Sequence, residues 1–420
     1  MIQTISLRPG VTLRCFPDGR FKHGCLSIQF IRPMHRDEAA LNVLVPAILL
    51  RGTVSAPDLR AITLRLDDLY GAAVGPLARR VGDYHAFGLH SSFISDRFAM
   101  DGDQVLAPMI QFLEQLLLDP VTEHGVFRQD YVSGEKKNLI TAIESQRNDK
   151  RTYANAQMLK KMCAADTAGI PRLGEVSQVA KVTPEAAWQH YQKILRECPM
   201  EIFYVGEAAP ETVAQLLTPL LDRLERDPFT LPPQTPYQYS PEGEYTETME
   251  VSQGKLSMGF VTPITIRDAG FAAMQVCNVL FGGGMTSLLF TNIREKLSLC
   301  YDISSGYQGS KGIMTVSAGI DTDKFDTVRQ QILEQLALCR NGTFTEAQLS
   351  AAKQAVVSSL RGTHDSPGAI ESYYGSACLS GLGMTPQEYM EAVEQVTASQ
   401  VSQAAATLQL HTCYFLKGVC

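Results

Sequence analysis

The chain has 420 residues, of which 45% are hydrophobic and 19% are charged, and its formal net charge is −7. At roughly 150 residues per domain, this length predicts two or three domains with hydrophobic cores of their own. The composition excludes a disordered chain, and the excess of acidic residues makes nucleic acid an unfavourable partner.

Targeting and membrane segments are not expected in this sequence. The first residues lack the basic and apolar regions of a signal peptide, and no later stretch is long and apolar enough to span a bilayer. Ten cysteines, scattered from Cys15 to Cys420 without a Cys-x-x-Cys pair, favour free thiols in a reducing compartment. We therefore expect a cytoplasmic protein with no membrane partner.

Strand-like and helix-like patterns follow one another in the same order in the two halves of the chain. In the first half, we predict strands over 2–16, 24–31, 84–93 and 200–205, and helices around 111–116 and 127–137. In the second half, we predict strands over 312–320 and 411–417, and helices around 331–336 and 344–354.

The two halves also share a short sequence motif. Gln-Phe-Leu-Glu-Gln-Leu at 111–116 returns as Gln-Ile-Leu-Glu-Gln-Leu at 331–336, which indicates an internal duplication. The proline-rich stretch 226–242 lies between the copies and predicts a linker. We therefore predict two homologous α+β domains, over 1–225 and 243–420. Each is expected to be a mainly antiparallel sheet with helices packed on one face.

The most distinctive segment, 281–301, combines a glycine loop with the start of a helix. Gly282, Gly283 and Gly284 precede apolar residues at helical spacing. Plain packing is one interpretation of this pattern. A phosphate-binding loop is a much weaker one, because no Lys-Ser/Thr pair of a P-loop follows the glycines.

This segment resembles the signature of the pitrilysin and mitochondrial processing peptidase family. In that family a glycine run leads into Met-Ser-Ser-Arg-Leu-Phe, then Arg-Glu-Lys and Leu-Ala-Tyr. Here the glycines lead into Met-Thr-Ser-Leu-Leu-Phe, then Arg-Glu-Lys and Leu-Cys-Tyr, with Leu288 in place of the usual Arg and Ser298 in place of a common Gly. The resemblance implies two homologous domains that pair with a second such chain around a chamber where a peptide is cut. It also implies that the glycine loop binds substrate.

The zinc motif of the family, His-x-x-Glu-His on a helix, has no counterpart here. Aligning Leu-Leu-Arg-Gly-Thr at 49–53 with the Leu-Phe-Lys-Gly-Thr of the family places Val43, Pro46 and Ala47 at the His, Glu and His positions. Glu-Lys-Lys at 135–137 likewise places Ala142 at the third ligand. These side chains offer no metal ligand and no proton acceptor. We therefore expect this chain to bind no metal or other cofactor. None of its eight histidines forms an i, i+4 helical pair with another, so solvated or core positions are expected for them.

Arg294 and Tyr301 are the two signature residues that keep a functional side chain. They stand seven residues apart, which is close to eclipsed if one helix continues through both, although the helix could end before Tyr301. The resemblance implies that they reach into the zinc site of a partner chain. There the tyrosine hydroxyl would steady an oxyanion and the arginine would bind substrate carbonyl oxygens. A surface ion pair and a strand position are the plain alternatives.

Three functions fit these residues. The first is a non-catalytic subunit of a heterodimeric zinc peptidase, whose partners are a homologous zinc-bearing subunit and a peptide or precursor substrate. The second is a structural or scaffold protein of the same fold with no role in proteolysis. The third, a metal-free cysteine enzyme, is the weakest, because no cysteine has a sequence setting that would lower its pKa.

Overall fold

The computed structural model describes residues 2–238 and 240–418. The strands are β1 (Gln3–Arg8), β2 (Val11–Pro17), β3 (His23–Pro33), β4 (Ala73–Val81), β5 (Tyr84–Ile94), β6 (Thr122–Glu123), β7 (Val126–Phe127), β8 (Met200–Gly206), β9 (Gly243–Met249), β10 (Gly254–Val261), β11 (Asp302–Gln308), β12 (Ile313–Ile320) and β13 (Gln409–Gly418). The helices are α1 (Arg36–Leu49), α2 (Leu59–Asp67), α3 (Leu106–Leu118), α4 (Gln129–Ser145), α5 (Lys150–Met162), α6 (Val176–Val179), α7 (Pro184–Glu197), α8 (Pro210–Asp222), α9 (Phe271–Phe281), α10 (Phe325–Arg340), α11 (Glu346–Arg361), α12 (Pro367–Ser380), α13 (Pro386–Glu394) and α14 (Ala398–Thr407). A π-helix, Leu289–Lys296, follows α9.

The chain forms two compact units, and neither is continuous in sequence. The first unit contains residues 2–144, 170–234 and 364–376, and the second contains the described residues of 145–169, 235–363 and 377–418. Helix α5 therefore belongs to the second unit, and most of α12 belongs to the first. The boundaries of the duplication, with halves over 1–225 and 243–420, remain a prediction.

The first unit contains a six-stranded sheet in the order β1-β2-β8-β3-β5-β4. All neighbouring pairs are antiparallel except β2 and β8. Buried aliphatic and aromatic residues of the sheet, including Leu26, Ile28 and Phe87, form one core with buried residues of α1, α3 and α7. The burial of these apolar side chains away from water is the main force that holds the helices against the sheet.

The second unit contains a five-stranded sheet in the order β11-β12-β10-β13-β9, in which only β13 and β9 run parallel. Helix α5 packs on this sheet so closely that a β-carbon at Gly259 would collide with the sulfur atoms of Met158 and Met162. Asn155 on the same helix accepts a hydrogen bond from Ser317 Oγ at 2.7 Å. Gly259 thus leaves room for the side chains of Met158 and Met162, which pack against β10.

Most of the predicted elements are present. The strands predicted over 84–93, 200–205, 312–320 and 411–417 are β5, β8, β12 and β13. The two copies of the repeated motif, at 111–116 and 331–336, lie in α3 and α10. The α+β class and the mainly antiparallel sheets are confirmed. The stretch 2–16 differs from the single strand predicted, because Gly10 adopts a φ of +67° and turns the chain into the hairpin β1–β2.

No helix among the described residues combines the length and the apolar character needed to cross a membrane.

Candidate functional site

The glycine loop closes α9 and packs against β11. Gly282 accepts a hydrogen bond from the Ser305 N–H at 2.8 Å, and a β-carbon at Gly282 would lie 2.8 Å from that same nitrogen. A β-carbon at Gly283 would lie 2.7 Å from the Cα of Val279, whereas Gly284 faces open space. Close backbone packing therefore requires the first two glycines. Substrate contact by Gly282, Gly283 and Gly284 remains a prediction.

The segment after this loop is a π-helix, a rare conformation that is frequent at functional sites. Leu289 and Ile293 are buried on one side of this π-helix. Asn292 connects the π-helix to α10, because its Nδ2 donates a hydrogen bond to Gln335 Oε1 at 2.6 Å. Its Oδ1 accepts a hydrogen bond from Lys296 Nζ at 2.9 Å. These contacts fix the part of the chain that carries Arg294.

The helix ends at Lys296, so Arg294 and Tyr301 do not share a continuous helix. Ser298 adopts a φ of +50°, which reverses the chain before β11 begins. This left-handed conformation explains why glycine is common at the position in the family, since glycine adopts it without steric cost. The two signature residues are brought together by this turn and not by helical periodicity.

Arg294 makes three contacts. Its Nε donates to the carbonyl oxygen of Tyr301 at 3.0 Å, and its Nη1 donates to Glu295 Oε1 at 2.7 Å. The guanidinium carbon lies 4.7 Å from the centroid of the Phe290 ring, a cation–π contact. The ion pair predicted as the plain alternative is therefore present, and the same guanidinium also holds the backbone of Tyr301.

Tyr301 directly precedes β11 and lies beside the end of β12. Its N–H donates to Gly319 O at 2.8 Å, and its hydroxyl donates to Asp321 Oδ1 at 2.8 Å. The side chain is 53% exposed. The hydrogen bond to Asp321, together with the negative charge of that carboxylate, raises the pKa of the Tyr301 phenol. Tyr301 is thus a protonated, accessible hydrogen-bond donor.

These side chains border an open cavity of about 420 Å³, whose lining includes Arg294, Tyr301 and Asp321. A guanidinium and a phenol at one cavity can donate hydrogen bonds to carbonyl oxygens and to a developing oxyanion. Asp321 lies 20 residues after Tyr301 and belongs to no motif, so no sequence pattern indicates its place at this cavity.

The predicted positions of the zinc ligands lie on two helices. Val43, Pro46 and Ala47 are on α1 and Ala142 is on α4. Pro46 is buried, Val43 and Ala47 are half-buried, and Ala142 is exposed. In residues 2–238 and 240–418, no group of three or more His, Cys, Asp or Glu side chains is arranged to hold a metal ion. A metal-free chain remains a prediction.

A neighbour of Val43 instead joins two histidines in the core. Asn42 Nδ2 donates to His85 Nδ1 at 3.2 Å, and His190 Nε2 donates to Asn42 Oδ1 at 2.7 Å. Burial lowers the pKa of each histidine to about 4. His85 and His190 are therefore neutral residues of the core.

Comparison with known proteins places this architecture in a family. Residues 181–356, which include the whole signature segment, match the family model described as "Peptidase M16 inactive domain". Over 409 residues the chain is 28% identical to the "Probable inactive metalloprotease YmfF" of Bacillus subtilis (strain 168), covering 97% of this chain and 96% of the relative. These matches support an M16 peptidase family member that lacks the catalytic zinc motif, which is the family predicted from the signature at 281–301.

Solved structures show that the M16 fold extends over the whole chain. A conserved protein from Enterococcus faecalis V583 matches with a TM-score of 0.92 and 28% identity, over 100% of this chain and 99% of that one. A peptidase M16 inactive domain from Pseudomonas fluorescens matches with a TM-score of 0.82 and 17% identity, over 100% and 98% of the two chains.

Proposed function

We propose that this M16 chain is the non-catalytic subunit of a heterodimeric zinc peptidase and that it completes the active site of its partner with Arg294 and Tyr301. One observation carries the proposal. These two side chains are held together at an open cavity, while the positions of the zinc motif hold Val43, Pro46 and Ala47. The chain has kept the hydrogen-bond donors of one half-site and has no ligands in the other.

The partner in this proposal is a homologous, zinc-bearing M16 subunit, and the substrate is a peptide or precursor. A zinc ion held by that partner would supply the activated water for the attack. The scattered cysteines support a cytoplasmic location for this chain, which cell fractionation tests.

Tyr301 is the donor to the developing oxyanion in this scheme. A phenol donates one hydrogen bond and keeps its proton at neutral pH, as the raised pKa of Tyr301 requires. A phenol that donates to the oxyanion stabilises the charge that appears there in the transition state.

Arg294 binds substrate carbonyl oxygens in the same scheme. Its Nε and Nη1 are engaged by Tyr301 O and Glu295, and the Phe290 ring lies against its guanidinium. These contacts orient the guanidinium plane, so its remaining N–H groups are available in a defined direction.

One observation favours a scaffold with no role in proteolysis. The Arg294–Glu295 ion pair lies at the surface, with side-chain exposures of 39% and 55%. Many exposed ion pairs of this kind make no measurable contribution. The two functions differ in whether Arg294 and Tyr301 influence peptide cleavage.

The deciding experiment is reconstitution. The chain is purified alone and together with a zinc-bearing M16 chain of the same organism, and cleavage of a quenched-fluorescence peptide library is measured for each preparation. We expect a heterodimer that cleaves peptides, and no cleavage by this chain alone.

Tyr301→Phe in this heterodimer should preserve assembly and lower turnover. Tyr70→Phe is the matched control, because the Tyr70 hydroxyl also donates to an aspartate, Asp103 Oδ2, at 2.6 Å, and belongs to the first unit. Cleavage at the wild-type rate by the Tyr301 variant, together with normal assembly, would support the scaffold instead.

A further inference from the structure

We propose that Asp321 is a positioning residue for Tyr301: it holds the phenolic proton in the resting subunit and releases it only to a stronger acceptor, the oxyanion of the substrate. The proposal rests on the proposed function, because it assumes that Tyr301 serves as the oxyanion donor. It adds a residue outside the family signature that controls this donor.

The geometry that brings the two residues together comes from the pairing of β11 with β12. Asp302 pairs with Gly319 in this antiparallel ladder, and the Tyr301 N–H donates to Gly319 O at 2.8 Å. Asp321 is the first residue after β12 and therefore lies beside Tyr301 at the same end of the hairpin. The backbone thus sets the distance of 2.8 Å between the Tyr301 hydroxyl and Asp321 Oδ1.

Asp321 has no competing partner among the described residues. Its carboxylate accepts from Tyr301 alone, and no lysine or arginine of the described chain forms an ion pair with it. Other charged groups of the segment are paired elsewhere: Arg294 with Glu295, and Asp302 with Lys255, whose Nζ lies 3.5 Å from Asp302 Oδ2. The negative charge of Asp321 therefore acts on the Tyr301 hydroxyl without a neutralising cation.

A phenol has a single proton, so Tyr301 cannot donate to Asp321 and to a substrate at once. A hydrogen bond to a carboxylate is stronger than one to a neutral amide carbonyl, so a bound but unreacted peptide does not displace Asp321. An oxyanion is a charged acceptor and does compete for the proton. Tyr301 therefore exchanges acceptors only as charge develops on the substrate, and Asp321 raises the energy needed to use this donor.

Among the described residues, the titratable side chains that line the cavity with Tyr301 are Arg294, Glu295, Cys300 and Asp321. Asp302 follows Tyr301 in the chain and pairs with Lys255. Asp321 is the group that is hydrogen-bonded to the phenol, and it also raises the pKa of Tyr301.

The first test uses the chain alone. Tyrosine is labelled with ¹³C at Cζ, the Tyr301 signal is assigned by its loss in Tyr301→Phe, and its shift is followed as the pH is raised. Asp321→Asn should make Tyr301 lose its proton at lower pH than in the wild type. Asp323→Asn is the control, because it removes the same charge two residues away without a hydrogen bond to Tyr301, and it should titrate like the wild type. Equal titration in all three chains would overturn the proposal.

The second test uses the reconstituted heterodimer and the same peptide library. Asp321→Asn should raise kcat about threefold to fivefold, the ratio expected when a charge-assisted hydrogen bond is replaced by a neutral one. In the Tyr301→Phe background the same substitution should have no effect on kcat, because Asp321 acts through the hydroxyl. An unchanged or lower kcat for Asp321→Asn in the wild-type background would overturn the proposal.

Failure of the proposed function and failure of the role assigned to Asp321 give different results. If Tyr301→Phe leaves turnover unchanged, the proposed function fails, while the titration of Tyr301 still reports on Asp321. If Tyr301→Phe lowers turnover but Asp321→Asn has the same effect in both backgrounds, only the assignment of Asp321 fails.

Discussion

Arg294 donates from Nε to the carbonyl oxygen of Tyr301 at 3.0 Å across a turn that contains a serine with positive φ. The two residues of the signature are therefore joined by a backbone contact as well as by their place at one cavity. A guanidinium has five N–H donors in a fixed plane, so the bond to Tyr301 also orients the donors that remain.

Arg294→Ala should impair the reconstituted heterodimer in both substrate affinity and turnover. An arginine that binds carbonyl oxygens in the ground state, and more strongly in the transition state, contributes to both parameters. Its loss should therefore raise KM and lower kcat, and we expect kcat/KM to fall at least about tenfold. Arg128→Ala is a suitable control, because Arg128 also pairs with a carboxylate, Asp130, and stacks on a ring, that of Tyr131. Equal kinetics for the two variants would contradict a substrate-binding role.

Tyr301→Phe should act mainly on turnover. The substitution removes only a hydroxyl, and loss of one well-aimed oxyanion donor typically lowers kcat by a factor of about 10² to 10³. KM should change little, because the donor is engaged by Asp321 until charge develops on the substrate. Steady-state kinetics of the heterodimer separate the two parameters.

The chain alone should contain no stoichiometric zinc. Valine, proline and alanine at positions 43, 46, 47 and 142 offer no lone pair to a metal ion. Metal analysis of protein purified without chelators checks this directly. One tightly bound zinc ion per chain would show that the zinc site was assigned to the wrong residues.

Ser298→Gly should stabilise the protein. Ser298 adopts a φ of +50°, which is strained for a residue with a β-carbon and free of strain for glycine. The greater freedom of glycine in the unfolded chain offsets part of the gain, so we expect the free energy of unfolding to rise by about 0.5–1 kcal/mol.

A second serine provides the matched control for this substitution. Ser358 is exposed within α11, where a helical backbone favours serine over glycine. Ser358→Gly should therefore lower the free energy of unfolding in urea. A destabilised Ser298→Gly variant would show that the serine side chain itself contributes to the turn.

The buried histidines should make the protein less stable in acid. Burial holds the pKa of His85 and of His190 at about 4, below the ordinary value near 6.5, so the unfolded chain binds more protons between these pH values. The free energy of unfolding should therefore fall as the pH decreases from about 6.5 to about 4, by at most about 3 kcal/mol for each histidine.

Urea denaturation at several pH values measures this effect. His190→Gln removes one titrating group and keeps an N–H donor for Asn42, so its stability should depend less on pH across this range. His23→Gln changes an exposed histidine and should leave the pH dependence as in the wild type.

A buried carboxylate should contribute strongly to the stability of the first unit. Glu371, whose side chain is 1% exposed, accepts from Ser27 Oγ at 2.7 Å, Gln29 Nε2 at 2.7 Å and Arg79 Nη2 at 2.8 Å. Glu371→Ala removes the charged acceptor that these three donors share and should lower the free energy of unfolding by about 3 kcal/mol.

The exposed pair Arg8–Asp222 is the control for this prediction. Its side chains are 48% and 57% exposed, so Asp222→Asn should cost less than about 1 kcal/mol. Equal losses for Glu371→Ala and Asp222→Asn would show that burial does not strengthen the Glu371 network.

Local features of this protein were readable from the amino-acid sequence because they depend on neighbouring residues. The alternation of apolar residues predicts β5, β8, β12 and β13, and the 3.6-residue period predicts α3 and α10, since these periods reflect which side of an element is buried. The signature at 281–301 predicted the family that the comparisons support, and the residues at 43, 46 and 47 predicted that its zinc motif is missing.

Contacts between distant residues were decided only by the tertiary structure. Asp321 meets Tyr301 because β11 and β12 pair in one register, and Asn42 joins His85 to His190 because α1, β5 and α7 pack in one core. The assignment of α5 to the second unit also depends on such packing. A periodic pattern reports that a face is buried but not which distant group it meets, because pairing and packing depend on the whole chain at once.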